Sequence, residues 1–243
     1  MQVYRELPVI TNQARRRPAE LVGIVSVTEE WTVARHKAIA EEIIASETRF
    51  VLDAGTAMYL NAILLDIPLA PKVSTELRRQ AQEAAEGEPN PRRAARAKEL
   101  ELAGVAGRGS IWEGDLLYDT AIVYLRPERH AVDAAIDERS RRITLNGLEE
   151  AGRLRDMAAA GRRISTQVMD SVGVRELCGH LSGMLSLQQA QDLIFTRTRR
   201  LARRQMRWFD KLARTLEGRA KITVLEGTNH QEDLHNMHDI IGV

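Results

Sequence analysis

Short apolar runs and longer stretches of helical periodicity alternate along this chain. Glu20 to Ser26 (ELVGIVS) is a compact apolar run of the kind that predicts a buried strand. Thr28-Glu29-Glu30-Trp31 follows in a capping-box-like arrangement and predicts a helix from Thr28 through Ala45. Arg49 to Ala54 (RFVLDA) predicts a second strand, which runs through Gly55-Thr56 into an apolar helix from Ala57 to Leu65. Strand, short turn and helix together make an α/β unit. Pro68 and Pro71 interrupt the pattern. Two charged helices are expected next, Thr75 to Glu86 and Arg92 to Ala103, parted by Gly87-Glu88-Pro89-Asn90-Pro91. Gly104 to Gly114 is a glycine-bearing loop, and Tyr118 to Leu125 predicts a third strand. From Glu128 to Leu216 the periodicity is mostly helical, punctuated by Gly147, Gly161, Gly173 and Gly183. Lys221 to Leu225 predicts a short last strand, and the polar segment 226–243 a loose tail. No internal repeat or low-complexity segment interrupts this order.

Composition narrows the class. With 44% hydrophobic and 28% charged residues, the 243-residue chain has the make-up of a soluble globular protein, not of a disordered or fibrous one. No apolar run reaches the ~18 residues of a membrane span, and Met1 to Arg17 holds no apolar signal core. The single cysteine, Cys178, excludes an intrachain disulfide framework and suits a reducing compartment, so a cytoplasmic protein without membrane attachment is expected. Aromatic residues are only 4%, so the core must rest on Ala, Leu, Ile and Val, which favours helices over a β-sandwich.

The net charge of +1 hides an asymmetry. Between Thr196 and Arg214, Arg197, Arg199, Arg200, Arg203, Arg204, Arg207, Lys211 and Arg214 stand against Asp210 alone, a local charge of +7. Arg197, Arg200, Arg204, Arg207, Lys211 and Arg214 recur at steps of three and four and share one helix stripe. Leu201, Trp208 and Leu212 make a second, apolar stripe able to pack on a core. Surface helices usually alternate charge signs. A strip of one sign suits phosphate or RNA, the competing reading being a solvated helix with snorkelling arginines.

Other features speak less clearly. Gly55-Thr56 lies where a strand is expected to end and a helix to begin, a place where backbone N–H groups and a hydroxyl can hold phosphate oxygens. A plain N-cap is the alternative for Thr56. Arg92, Arg93 and Arg96 cluster after Pro91 and read equally as a solvated helix face. Asp137-Glu138-Arg139 with Arg141-Arg142 reads as an ion-paired face. His230, His235 and His238 lie in the polar tail and do not make a metal frame. No GxxxxGK[ST] loop occurs in the sequence.

Five blocks, in order, resemble the tRNA dimethylallyltransferase (tRNA isopentenyltransferase) family over Met1 to Leu216. Met1-Gln2-Val3-Tyr4-Arg5 is similar to its DSMQVYR segment, and Asp53-Ala54-Gly55-Thr56-Ala57-Met58-Tyr59-Leu60 to its GGTGLYL. Asn90-Pro91-Arg92-Arg93-Ala94-Ala95-Arg96 resembles N-D-x-R-R-V-I-R, and Asp170-Ser171-Val172-Gly173-Val174-Arg175-Glu176 resembles Q-A-I-G-Y-K-E. Thr198-Arg199-Arg200-Leu201-Ala202-Arg203-Arg204-Gln205-Met206-Arg207-Trp208-Phe209 resembles TRRYAKRQxTWF most closely. In the present sequence Ala54 stands where the family has a glycine, and Val174 where it has a tyrosine.

The resemblance implies transfer of a dimethylallyl group from its diphosphate to the exocyclic amine of the adenosine beside a tRNA anticodon. It also implies an α/β, helix-rich, P-loop NTPase-like three-layer core. Residues 1–72 and 115–225 would form that core, and residues 73–114 a tRNA-gripping helical insert shorter than the family's by about twenty residues. It places Thr56 beside the target amine and the diphosphate, with Arg142, matched through Arg142-Ile143-Thr144-Leu145-Asn146-Gly147 to R-M-L-x-x-G, facing the diphosphate. Met1, Gln2, Arg78, Arg92, Arg93, Arg96 and the run Asp170, Ser171, Val172, Gly173, Val174 and Arg175 fall where the family meets tRNA. Gly55, Arg199, Arg200, Arg203 and Arg204 would line the diphosphate channel. Mg2+ is expected with the diphosphate rather than in a protein metal site, and a monomer is expected. The family's GPTxSGKT loop and the Asp before SMQ have no counterpart here, so the expectation is a core truncated at its N-terminus and a weak catalyst. A non-catalytic RNA-binding remnant and a prenyltransferase acting on a free adenylate are the competing readings.

Overall fold

The structure, a computed structural model, describes residues 1–55, 57–67, 69, 73–104 and 110–227, apart from the side chains of Arg92 and Arg93. The described residues form an α/β, helix-rich fold. Its helices are α1 (Val33–Ala45), α2 (Ala57–Leu64), α3 (Thr75–Ala84), α4 (Pro91–Leu102), α5 (Arg129–Asn146), α6 (Leu148–Ala159), α7 (Thr166–Met169), α8 (Val174–Leu181) and α9 (Leu187–Thr215). The strands are β1 (Ala121–Arg126) and β2 (Lys221–Glu226). They pair in parallel from Ala121↔Lys221 to Arg126↔Glu226.

Helix starts follow capping chemistry. α1 begins at Val33 because the Thr32 hydroxyl accepts the Arg35 N–H at 3.1 Å, which puts the cap four residues later than the Thr28 cap read from sequence. Glu29 instead turns back to accept the Ser26 N–H at 3.0 Å, which keeps 26–29 as a turn. Ser74 caps α3, and Ser186 with Gln189 forms a reciprocal box on α9.

Two expected strands do not form among the described residues. In 20–26 the backbone turns at Leu21 (φ 61°) and Gly23 (φ 63°), and the pairing is limited to a single bridge of Val25 with Tyr4 in parallel. Residues 49–54 join no strand or bridge, and Val51 is 76% exposed. An apolar run supplies strand propensity, but a strand needs a neighbour to receive its N–H and C=O groups.

The core has two main parts. One gathers Val3, Tyr4, Leu7, Ile10, Val25 and Trp31 from the N-terminal loops against Ile143, Leu154, Leu177 and Ile194 from α5, α6, α8 and α9. The other gathers Ala62, Leu64, Leu65 and Ile67 against Leu212 and Leu216, with Trp112, Phe209, Ile122 and Ile222 packed on it. α9 runs through both. At 29 residues it is about 43 Å long. Leu201, expected on its apolar face, is 39% exposed because it falls between the two cores. α3 and α4 pack on each other as a helical pair. At the end of β1, Tyr124 donates to Asp210 at 3.0 Å, and Arg126 joins the same carboxylate at 3.0 Å. Burial and that carboxylate push the Tyr124 hydroxyl up to about 12.

Candidate active site

Gly55 stands just ahead of α2, and its carbonyl oxygen accepts the side-chain amide of Gln205 from α9. Below this tether, Trp208 donates its indole N–H to Asn61 at 3.3 Å, and Asn61 donates to the Ile111 carbonyl at 3.1 Å. Trp112 lies on Trp208 with ring centroids 4.7 Å apart, and the Lys211 ammonium sits 4.4 Å over the Trp112 ring. α2, α9 and the 110–112 loop are thereby fixed to one another. Thr56, between Gly55 and Ala57 in sequence, lies outside the described residues.

The N-terminal loop closes a second side. Gln2 donates to the Asn12 carbonyl at 2.6 Å and accepts from Arg15 at 2.6 Å. Arg15 also pairs with Asp53 at 2.7 Å, two residues before Gly55. Asn12 sits at φ 56°, a left-handed conformation that asparagine tolerates, and its side-chain oxygen accepts from Arg142 of α5 at 2.6 Å. One hydrogen-bonded chain therefore runs from Arg142 through Asn12, Gln2 and Arg15 to Asp53. Met1 is at the surface at its end. The loop owes its shape to Glu150, buried on α6, whose carboxylate accepts the Val9 N–H at 2.7 Å and the Ile10 N–H at 2.9 Å.

Arg139, one turn before Arg142 on α5, is half-buried, and its Nε has no hydrogen-bond partner among the described residues. Burial, reinforced by the Arg142 charge, lowers its pKa from the ordinary guanidinium value. The mixed-charge face expected here is ion-paired only in part, at Asp137 with Arg141 (2.6 Å). Two guanidinium groups one turn apart, one of them partly desolvated, favour an anion between or beside them.

The basic strip of α9 separates into two kinds of arginine. Arg197 turns inward to the buried Glu176 carboxylate and donates to the Asp170 carbonyl at 2.7 Å. Arg199 makes two bonds to Asp133 of α5, at 2.8 and 2.6 Å. Arg200, Arg203, Arg204 and Arg207 are exposed, with no carboxylate within 4.0 Å among the described residues. Together with Lys211 and Arg214, which are also exposed, these four carry the charge that the strip presents to solvent.

The remaining sequence candidates lie apart from this cluster. Arg78 and Arg96 converge on Glu99, which is 6% exposed; the Arg78 contact links α3 to α4, and the Arg96 contact lies within α4. Arg92 and Arg93 stand in the first turn of α4, their side chains outside the described ones. In the turn before α8, Gly173 adopts φ 99° and its N–H donates to Glu176 at 2.8 Å. A Cβ there would meet Ile10 at 2.8 Å, so only glycine fits. Ser171 and Val174 are buried, Asp170 and Val172 are partly buried, and Arg175 is exposed. Asn12, Asp53, Arg139 and Gln205 were not read as site residues from sequence. The last belongs to the very block that matched most closely, and Arg139 lies three residues from Arg142.

Among the described residues no group of three or more His, Cys, Asp or Glu side chains could hold a metal ion, and no helix is long and apolar enough to cross a membrane.

The arrangement resembles known proteins along its whole length. A tRNA dimethylallyltransferase of Rubrobacter xylanophilus is 59% identical over 247 residues, covering 100% of this chain and 85% of that protein. One from Geobacter metallireducens is 30% identical over 244 residues, covering 86% and 78%. Among solved structures, a eukaryotic dimethylallyltransferase acting on tRNA superposes with a TM-score of 0.74 at 19% identity, over 100% of this chain and 71% of that one. The tRNA isopentenylpyrophosphate transferase of Bacillus halodurans superposes with a TM-score of 0.70 at 22% identity, over 99% and 84%. The family model for IPP transferase matches residues 2–106 and 88–212, and the chain belongs to that family.

Proposed function

We propose that this chain transfers a dimethylallyl group from dimethylallyl diphosphate to the exocyclic amine of the adenosine beside a tRNA anticodon. The observation that carries the reading is the 59% identity, over the whole chain, to a tRNA dimethylallyltransferase. The geometry agrees with it: Gly55 is bonded to Gln205 of the α9 strip that carries Arg200, Arg203 and Arg204, and its neighbour Asp53 is linked through Arg15, Gln2 and Asn12 to Arg142, one turn from Arg139 on α5.

In the reaction the allylic C–O bond breaks and the diphosphate leaves with its electron pair. A bond forms from the adenine nitrogen to the allylic carbon, and the nitrogen gives up a proton. Charge accumulates on the departing diphosphate, so preorganised guanidinium groups lower the barrier where that charge develops. Arg139 and Arg142 are assigned to the diphosphate, and Thr56 to the edge between diphosphate and amine. The acceptor base must leave its stack to reach the carbon. Met1 and Gln2 border the opening it would enter. Arg200, Arg203 and Arg204 meet RNA phosphates or the diphosphate, with Arg199 held beside them by Asp133.

The domain reading is carried forward as part of the proposal. Residues 1–72 and 115–225 form a P-loop NTPase-like layered core, and residues 73–114, with Arg78, Arg92, Arg93 and Arg96, an insert that meets tRNA. In the 170–175 turn Asp170 and Arg175 offer side chains to RNA, while Ser171, Gly173 and Val174 set the backbone. Mg2+ would be held chiefly by the diphosphate's own oxygens, which suits a surround with few carboxylates. Asp53 is the carboxylate at this edge, and the ion would neutralise diphosphate charge. A monomer suffices for these contacts.

The test is transfer of radiolabel from dimethylallyl diphosphate to an unmodified tRNA, with adenosine monophosphate as a parallel acceptor. Label on tRNA supports the reading. Label on the free nucleotide alone, or on neither, overturns it.

A further inference from the structure

Arg15, Arg16 and Arg17 stand in sequence before Pro18, between the first two of the five blocks that carry the family likeness and within the span that the family model matches. The fold treats them unequally. Arg15 is used internally, bonded to Gln2 and to Asp53. Arg16 and Arg17 are exposed, and among the described residues no carboxylate lies within 4.0 Å of either. The base of their loop is held firmly. The Gln13 backbone N–H donates to the Pro8 carbonyl at 2.8 Å, and its side-chain amide to the Tyr4 carbonyl at 2.7 Å. A shallow concavity of about 430 Å3 is lined by Gln13, Arg15, Arg16, Arg17, Pro18 and Val22.

Two unpaired guanidinium groups on a pinned loop make a stationary positive patch, and the patch has a definite address. Arg15 ties it to Asp53, Asp53 lies two residues from Gly55, and the Gly55 carbonyl takes Gln205 of α9. Gln205 is next in sequence to Arg204 of the exposed strip. The loop and the strip are therefore both tied to the same short segment, Asp53 to Gly55. A small anion can meet one of them, whereas a polyanion running past the site can meet both.

We propose that Arg16 and Arg17 form a second phosphate-binding patch, which takes the RNA backbone on the side of the opening away from α9. This rests on the reading of tRNA as the acceptor. It adds a contact surface that the α9 strip cannot supply, and it gives the internal role of Arg15 a purpose in fixing where its neighbours stand.

The experiment measures binding of an unmodified tRNA transcript across a salt series by fluorescence anisotropy, with the full chain. Loss of two phosphate contacts in Arg16→Ala/Arg17→Ala should flatten the slope of log K against log salt by about 1.4–1.8 and weaken binding on the order of tenfold at ~0.1 M salt. Arg16→Lys/Arg17→Lys keeps both charges and should keep the slope. Circular dichroism of each variant checks that the loop change leaves the fold intact, and Arg16→Glu/Arg17→Glu provides a second, repulsive variant. An unchanged slope in both the alanine and glutamate variants would overturn the patch. So would a defect confined to the KM for dimethylallyl diphosphate, since it would assign the arginines to the small substrate. Label transfer by the unaltered chain is read separately. Its failure would strike the proposed activity, while the slope comparison would still decide the patch.

Discussion

Gln205 donates its side-chain amide to the carbonyl oxygen of Gly55 across 150 positions of sequence. The bond couples the middle of the arginine strip to the residue ahead of α2. If reacting groups are placed from both sides of this contact, small displacements should tell on rate more than on stability. Gln205→Leu is expected to lower kcat for prenyl transfer by about 10–100-fold through misplacement. One lost hydrogen bond, worth about 1 kcal/mol, should lower Tm by only about 2–4 °C. A steady-state assay beside a thermal melt checks this; full kcat with a lowered Tm would make the contact purely structural.

Arg197 and Arg200 lie one helical turn apart and should behave as opposites. Arg197→Ala leaves Glu176 buried without its cation and should destabilise the chain by about 3 kcal/mol. Arg200→Ala with Arg204→Ala should move stability by less than about 0.5 kcal/mol while reducing tRNA affinity and flattening its salt dependence. Denaturant melts and a binding series on both variants separate the two roles.

Glu150 supports the loop that carries Asn12, and hence Arg142. Glu150→Ala strands the Val9 and Ile10 N–H groups and should cost about 2–4 kcal/mol. Glu150→Gln offers one acceptor where two donors point, so about half that loss is expected. Urea unfolding midpoints measure both, and near-wild-type stability in the alanine variant would mean that the loop finds other acceptors.

His36 is packed between Trp31 (ring centroids 5.8 Å) and Tyr59 (4.7 Å), with its Nδ1 buried and without a hydrogen-bond partner among the described residues. Burial lowers its pKa below the usual 6.5. In the unfolded chain it protonates near 6.5, and in the folded chain only at lower pH. The unfolded state therefore binds more protons in that window, and stability should fall as pH drops from about 6.5 toward the folded value. His36→Phe keeps the ring contacts and removes the titration. The variant's stability advantage should be absent at pH 8 and appear below pH 6.5, as read from unfolding midpoints at each pH.

Elements that carry their own instructions were legible in the sequence. The charged helices α3 and α4 and the last strand β2 fall within a few residues of their expected spans, and α9 lies inside the stretch expected to be mostly helical, because periodicity and capping are local. The runs 20–26 and 49–54 were not legible as they stand, since strand formation depends on a neighbour that local sequence does not name. The candidate site divides along the same line. Gly55, Gln2 and Arg142 could be singled out by their motifs. The inward turn of Arg197 and the work of Glu150 could not, because each depends on a partner 21 or about 140 positions away. Arg139 had a usable signal: an arginine one turn from a candidate, on the same helix.

The register of β1 with β2 joins residues one hundred positions apart, as Arg126 with Glu226. Read as an order of events in synthesis, this makes the strand pair a late closure. At about 5–20 residues per second, β1 waits roughly 5–20 s for β2 to be made. Local contacts let α5 to α9 form in that interval, whereas the parallel ladder must await closure of the long loop. We expect protease protection of β1 in ribosome-stalled chains to appear only once Glu226 has cleared the exit tunnel; protection at shorter lengths would refute it. Until that point the nascent chain presents both edges of β1 to its surroundings, and pairing with β2 then takes up one of them.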